Sequence, residues 1–178
     1  MAERRQQELK ILEEAALHQL ANPDLLIDNQ KANLLLRLWQ YPSFERHKVW
    51  AVYTLRGEEQ LLIQRVTWNQ QNDYQRLSDP FVGLKEGFHA VPCVSTQVKN
   101  IELEILQPYL AELQTIKVSV LTHKEGIGID GISFGFELRN ARTKTSFSWW
   151  CVAPDEWQPL ELWFFKTKNL LDLQFSQL

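Results

Sequence analysis

A cysteine becomes a useful nucleophile when a base or a positive neighbour draws off its proton, so thiols and imidazoles at suitable spacing are the first chemistry to look for. The chain offers Cys93 and Cys151, with His89 and His123 as the imidazoles nearest in sequence. His89 and Cys93 are four positions apart, but Val91-Pro92 lies between them and breaks any continuous helix that would face one toward the other. A catalytic reading therefore needs the fold to gather His89, Cys93, His123 and Cys151 from separate segments. His89, Cys93, His123 and Asp130 also carry ligand atoms for a metal, yet none stands in a C-x-x-C or H-E-x-x-H pair. No metal and no other cofactor is expected, and Asp130 beside Gly131 reads as a turn residue.

Three further patterns have chemical meanings. Gly126-Ile127-Gly128-Ile129-Asp130-Gly131 has the glycine density of a phosphate loop, but it precedes a strand pattern and lacks a following Lys-Ser/Thr. Glu102 and Glu104 fall on one side of a strand, where paired acids form a solvated face unless a cleft perturbs them. Trp163-Phe164-Phe165 sets three rings about 100° apart on a helix, so one buried face cannot hide them all. Core packing from two sides is the first explanation for these rings. A partner or dimer surface is the second, with Trp163 and Phe165 as the residues that would form it.

Composition bounds these readings. The 178 residues are 44% hydrophobic, with Phe 9, Trp 7 and Tyr 4, which is enough apolar material for one core and one domain, 1–178. Lys and Arg number 19 against 22 Asp and Glu, for a net charge of −3 and a pI near 5.8. That balance disfavours a surface built to neutralise phosphates, and no nucleic-acid partner is expected. The local basic bias, Arg139, Arg142, Lys144, Lys166 and Lys168, is scattered over a turn and a helix and reads as solubilising. Met1 to Glu8 mixes both charge signs ahead of no apolar stretch, so no secretion signal is expected. No window reaches membrane-spanning length: the greasiest, Leu160 to Leu173, is broken by Glu161, Lys166, Lys168 and Asp172. Two cysteines in a chain that can build its own core point to reduced thiols and a cytoplasmic protein.

Periodicity supplies the elements that would position these groups. Leu9, Leu12, Ala16 and Leu20 form the stripe of an amphipathic helix, and Ala32, Leu35, Leu36 and Trp39 continue at helical spacing until Tyr41-Pro42. Residues 1–42 thus read as a helical hairpin, with the sheet and a C-terminal helix in 43–178. Val49 to Leu55 and Leu61 to Trp68 form a β-hairpin around Arg56-Gly57-Glu58-Glu59. Asn69 to Ser95 reads as a long loop that covers the sheet or serves function, with a turn at Ser78-Asp79-Pro80. Residues 98–116 allow a strand over Ile101 to Ile105 followed by a helix begun at Pro108, or one kinked helix. Lys117 to Leu121 reads as a strand, Ile132, Phe134, Phe136 and Leu138 alternate in another, and Thr145 to Val152 returns as its hairpin partner. Pro154-Asp155 then opens a helix that buries Trp157, Leu160, Phe164 and Leu171, with Pro159 tolerated in its first turn. The class is α+β: an antiparallel sheet of about five to six strands built from hairpins, with helices mainly on one face.

From Asp130-Gly131 the chain reads Asp-Gly-Ile-Ser-Phe-Gly-Phe-Glu-Leu, a turn, Phe147-Ser148-Trp149-Trp150 and Pro154-Asp155-Glu156-Trp157-Gln158-Pro159-Leu160. This layout resembles a pattern in uncharacterised bacterial proteins: an Asp-Gly entry, a hairpin ending in tryptophans, and a Pro-x-x-Trp-x-Pro-Leu helix start. The resemblance covers roughly the last 50 residues and implies no activity; it implies tryptophans that pin the last helix to the sheet. The sequence reading is therefore a non-enzymatic binding or adaptor module whose 69–95 loop and C-terminal aromatics meet a protein partner or a second copy. Its rivals are a small hydrolase or transferase with a Cys/His cleft, and a ligand carrier with a pocket lined by Trp50, Tyr53, Phe134 and Phe136.

Overall fold

Strands prevail in this chain because apolar, β-branched and aromatic residues stand on both sides of several extended stretches. The computed structural model describes residues 2–21, 26–27, 30–55, 60–119, 130–140 and 142–176. Its strands are β1 (Leu26–Ile27), β2 (Gln30–Lys31), β3 (Asn33–Pro42), β4 (His47–Thr54), β5 (Gln60–Trp68), β6 (Val94–Glu102), β7 (Ile132–Arg139) and β8 (Lys144–Trp150). The first two pair as a short ribbon, and the other six make one antiparallel sheet in the order β6-β5-β4-β3-β7-β8. The helices are α1 (Ala2–Ala21), α2 (Gln70–Ser78), α3 (Pro80–Glu86), α4 (Leu103–Thr115) and α5 (Gln158–Ser176). The α+β class and the antiparallel sheet agree with the expectation, as do the β4–β5 and β7–β8 hairpins.

Successive strand residues face opposite ways, so each central strand feeds two layers. On the inner face Leu36, Leu38, Trp50, Val52, Ile63, Phe136 and Trp149 pack with Leu160, Trp163, Phe164 and Leu171 of α5. Asp172 anchors that helix by accepting from the Trp50 indole N–H at 2.9 Å and from Arg65 at 3.2 Å. On the outer face Val49, Val66 and Trp68 pack with Ala16 and Leu20 of α1, which keeps the predicted stripe. Helices thus lie on both faces, not mainly on one. The N-terminal helical hairpin is also corrected, because residues 33–42 are β3. Leu36 and Leu38 serve the inner core while Trp39 and Tyr41 serve the outer one, and a strand buried on both sides shows an apolar run that imitates helical spacing.

Other boundaries move for local reasons. The supposed loop 69–95 holds α2, α3 and a 3₁₀ turn at Gly87–His89. Asn69 caps α2 by accepting from the Asn72 N–H, and Asp79 caps α3 by accepting from Phe81 and Val82, with Pro80 in the first turn. Residues 98–116 take the strand-then-helix form, but the strand stops at Glu102 and Pro108 lies inside α4. Residues 117–119 are not strand, and the rest of that segment lies outside the described residues, as do His123, most of the glycine-rich turn and the Arg56–Glu59 turn. Strand β8 ends at Trp150, before Val152, because Cys151 takes φ +56. Pro159 does sit in the first turn of α5. Among the described residues no helix is long and apolar enough to cross a membrane.

Candidate functional site

The thiol and imidazole candidates do not converge. Cys93 immediately precedes β6 and Cys151 immediately follows β8, so they stand at opposite edges of the six-stranded sheet, roughly 24 Å apart at the usual strand spacing. Both cysteines are free and exposed, His89 is exposed on its 3₁₀ turn, and His123 lies outside the described residues. Among the described residues, no group of three or more His, Cys, Asp or Glu is placed to hold a metal.

What Cys93 does meet is Asp73, fully buried in the first turn of α2. Its carboxylate accepts from the Trp68 indole N–H at 2.8 Å and the Cys93 backbone N–H at 2.8 Å, and it pairs with Arg76 at 3.0 Å. Arg76 in turn reaches Glu86 and donates to the Val91 carbonyl at 2.8 Å. Burial pushes the Asp73 carboxyl up, but the Trp68 and Cys93 hydrogen bonds and the Arg76 charge together hold it below the usual carboxylate range. The Cys93 thiol moves the other way: its hydrogen bond to Asp73, then burial, raise it above an ordinary cysteine. A thiol beside an anion is the reverse of an activated nucleophile.

Sequence reasoning overlooked His47, which starts β4 and is 6% exposed. Its Nε2 donates to the Pro42 carbonyl at 2.9 Å, and its ring meets Trp68 edge-on at 5.0 Å and Tyr41 at 5.3 Å. Its buried Nδ1 has no hydrogen-bond partner among the described residues. Burial pushes the imidazole below its ordinary value, outweighing the Pro42 contact, and pushes the Tyr41 hydroxyl up to about 12. No spacing signal marks His47, because its partners come from the two neighbouring strands, β3 and β5.

The C-terminal rings belong to the core. Trp163 is wholly buried, meets Phe136 edge-on at 5.0 Å and donates its indole N–H to the Tyr109 carbonyl of α4 at 2.7 Å. It therefore offers no surface to a partner. Phe165 is half-buried against Phe134 at 5.2 Å. Trp149 and Trp157 act as pins, the first against Phe164 and the second against Phe147, whereas Trp150 turns to the other side of the sheet and is 37% exposed. The rings proposed for a carrier pocket are likewise packed: Trp50, Phe134 and Phe136 in the inner core, Tyr53 in a separate cluster with Ala51 and Leu62.

A different region is open. The described part of α1 packs over β4 and β5, leaving the outer face of β7 and β8 with Ser146, Ser148, Arg139 and Lys144 exposed. Gly135 lies on that face, where only the lack of a side chain leaves room for the Trp39 ring. At one end Glu137, 1% exposed, is met by Arg37 at 2.9 Å, Lys144 at 3.2 Å and the Arg139 guanidinium. Burial raises the Glu137 carboxyl, and these cations overcome it and hold the group below the usual range. Arg37 also donates to the Ala21 carbonyl, tying the end of α1 to β3. On the opposite side of the sheet's β5–β6 end, Leu35, Thr54, Gln60, Leu61, Glu102, Leu103 and Glu104 line a shallow groove of about 620 Å³. Comparison with known proteins decides nothing further. No family model, curated protein or solved structure matches this chain.

Proposed function

We propose that this chain is a non-enzymatic protein-binding module that meets its partner on the open outer face of β7 and β8. The observation that carries the reading is the asymmetry of the outer face: α1 seals β4 and β5, while β7 and β8 present exposed polar and cationic side chains and the Trp150 ring. The scattered thiols and imidazoles, with Cys93 held protonated by Asp73, support a role without nucleophilic chemistry. Reduced, exposed cysteines accord with a cytoplasmic setting. Self-association through the same face is the homo-oligomeric form of this reading.

Alkylation by iodoacetamide, followed from about pH 6 to about pH 10 in each single-cysteine variant, tests it against the Cys/His enzyme. The reading expects Cys93 to react only as the pH rises past the ordinary thiol range. An inflection for Cys93 below neutrality would transfer support to the hydrolase or transferase.

A further inference from the structure

Several cations of this molecule are each matched by one acid. On α1 Arg4 pairs with Glu8 at 2.8 Å and Lys10 with Glu14 at 3.9 Å, each one turn along the helix, and on α5 Lys166 reaches Glu112 of α4 at 2.8 Å while Lys168 reaches Asp172 at 3.4 Å. The β7–β8 hairpin departs from this rule. Residues 132–150 contain a single acid, Glu137, against Arg139, Arg142 and Lys144, and Arg37 joins them from β3. The hairpin and Arg37 therefore hold a local excess of three positive charges on a chain whose net charge is −3.

We infer that this cationic end of the open sheet face receives an acidic segment of a partner protein, with Arg139, Arg142 and Lys144 as the contacts. The inference rests on the protein-binding reading above and names the partner's chemistry. Glu137 uses only part of the donor capacity around it. It engages Arg139 through Nε, and the same arginine keeps further N–H groups on a side chain 43% exposed. Lys144 gives one ammonium contact and is 58% exposed. Arg142 is exposed on the turn, held by its backbone N–H on the Asn140 side chain at 2.9 Å. The donors that remain face solvent, and a planar guanidinium with free N–H groups matches a carboxylate in two-pronged fashion.

Carboxylates fit better than phosphates here. Glu137 already demonstrates a carboxylate seated among these side chains. A nucleic acid would bring a dense line of charge toward a chain of net −3, against a long-range repulsion that a short acidic peptide meets less strongly. The Trp39 ring offers no free stacking platform, since it lies against Gly135 with the Arg37 guanidinium 5.4 Å from its centroid.

The test is fluorescence anisotropy of the full chain with a labelled Glu-Ser repeat peptide at about 150 mM salt, where the screening length is near 8 Å and non-specific attraction is damped. Saturable binding is expected, weakened on the order of fivefold or more by Arg142→Glu, which leaves the Glu137 cluster intact. The double variant Arg139→Ala/Lys144→Ala, checked for native circular dichroism, should weaken it further. Lys166→Glu, on the other side of the molecule, should leave it unchanged. No binding by the wild type, equal binding by Arg142→Glu, or tighter binding of an oligouridylate of equal length would each overturn the inference. A failed peptide titration with Cys93 titrating high leaves the binding-module reading standing; Cys93 titrating below neutrality removes that reading itself.

Discussion

Among the described residues two carboxylates are buried, and they are satisfied in different ways. Asp73 is held by two N–H dipoles, from the Trp68 indole and the Cys93 backbone, plus one guanidinium, Arg76, which Glu86 also binds. Two carboxylates share that one guanidinium, so the cluster has no positive surplus: it welds α2 to β5 and to the segment entering β6. Glu137 is met by three cations, Arg37, Arg139 and Lys144, and one carboxylate cannot neutralise them. That cluster joins β3, β7 and β8 and still leaves positive charge facing water. A buried acid satisfied by N–H dipoles and a shared guanidinium leaves no cation to spare, whereas one satisfied by surplus cations also gives the surface a positive field.

The contrast breaks most visibly at Asp73. Asp73→Ala strands a buried indole N–H and a backbone N–H and takes one of the two carboxylates from Arg76, so stability should fall by about 3–5 kcal/mol in urea unfolding, with peptide affinity of the folded fraction unchanged. Glu137→Gln should cost less, about 2 kcal/mol, because Arg139 and Lys144 can turn to water while only Arg37 is left buried without its anion. The same variant sharpens the comparison by enlarging the positive surplus: it should bind the acidic peptide more tightly than wild type although it is less stable.

Acid should act on these buried groups in sequence, His47 first and the two carboxylates later. The His47 imidazole is lowered in the fold, so the unfolded chain takes its proton first; the stability is fully present above about pH 6.5 and is lost as pH falls from there through the lower folded value. His47→Phe should flatten the thermal-denaturation profile in that window. Asp73 and Glu137, also lowered, contribute stability present above about pH 4 and lost as pH falls below it. The smallest effect belongs to Arg142→Glu, whose side chain is exposed: its melting curve should stay within about 0.5 kcal/mol of wild type.

Much of this fold was legible from period alone. The α1 stripe, the β4–β5 and β7–β8 hairpins and the α5 core face each have one buried side or a clear turn, and their patterns are unambiguous. Strand β3 was misread because both its faces are covered, which erases the alternation that marks a strand. Helices α2 and α3 were hidden by polar residues such as Gln70, Gln71, Asn72 and Asp73, two of which turn inward to serve as buried partners. The candidate site was less visible. His89 and Cys93 drew notice by residue type, yet the environments of His47 and Asp73 depend on which way the Trp68 ring faces, Glu137 meets Arg37 across 100 positions, and Arg139 and Lys144 meet only because β7 and β8 pair them directly. Scattered along the chain, the same cations looked like a solubilising distribution.

The most direct test of the open, cationic outer face is a map of amide chemical shifts in ¹⁵N-labelled protein titrated with the acidic peptide. The account predicts shifts confined to Arg37, the β7–β8 turn and the outward positions from Arg139 to Ser148, with the Trp68–Asp73–Cys93 cluster silent. Shifts centred on Gly87 to Val94, or none at saturating peptide, would contradict it.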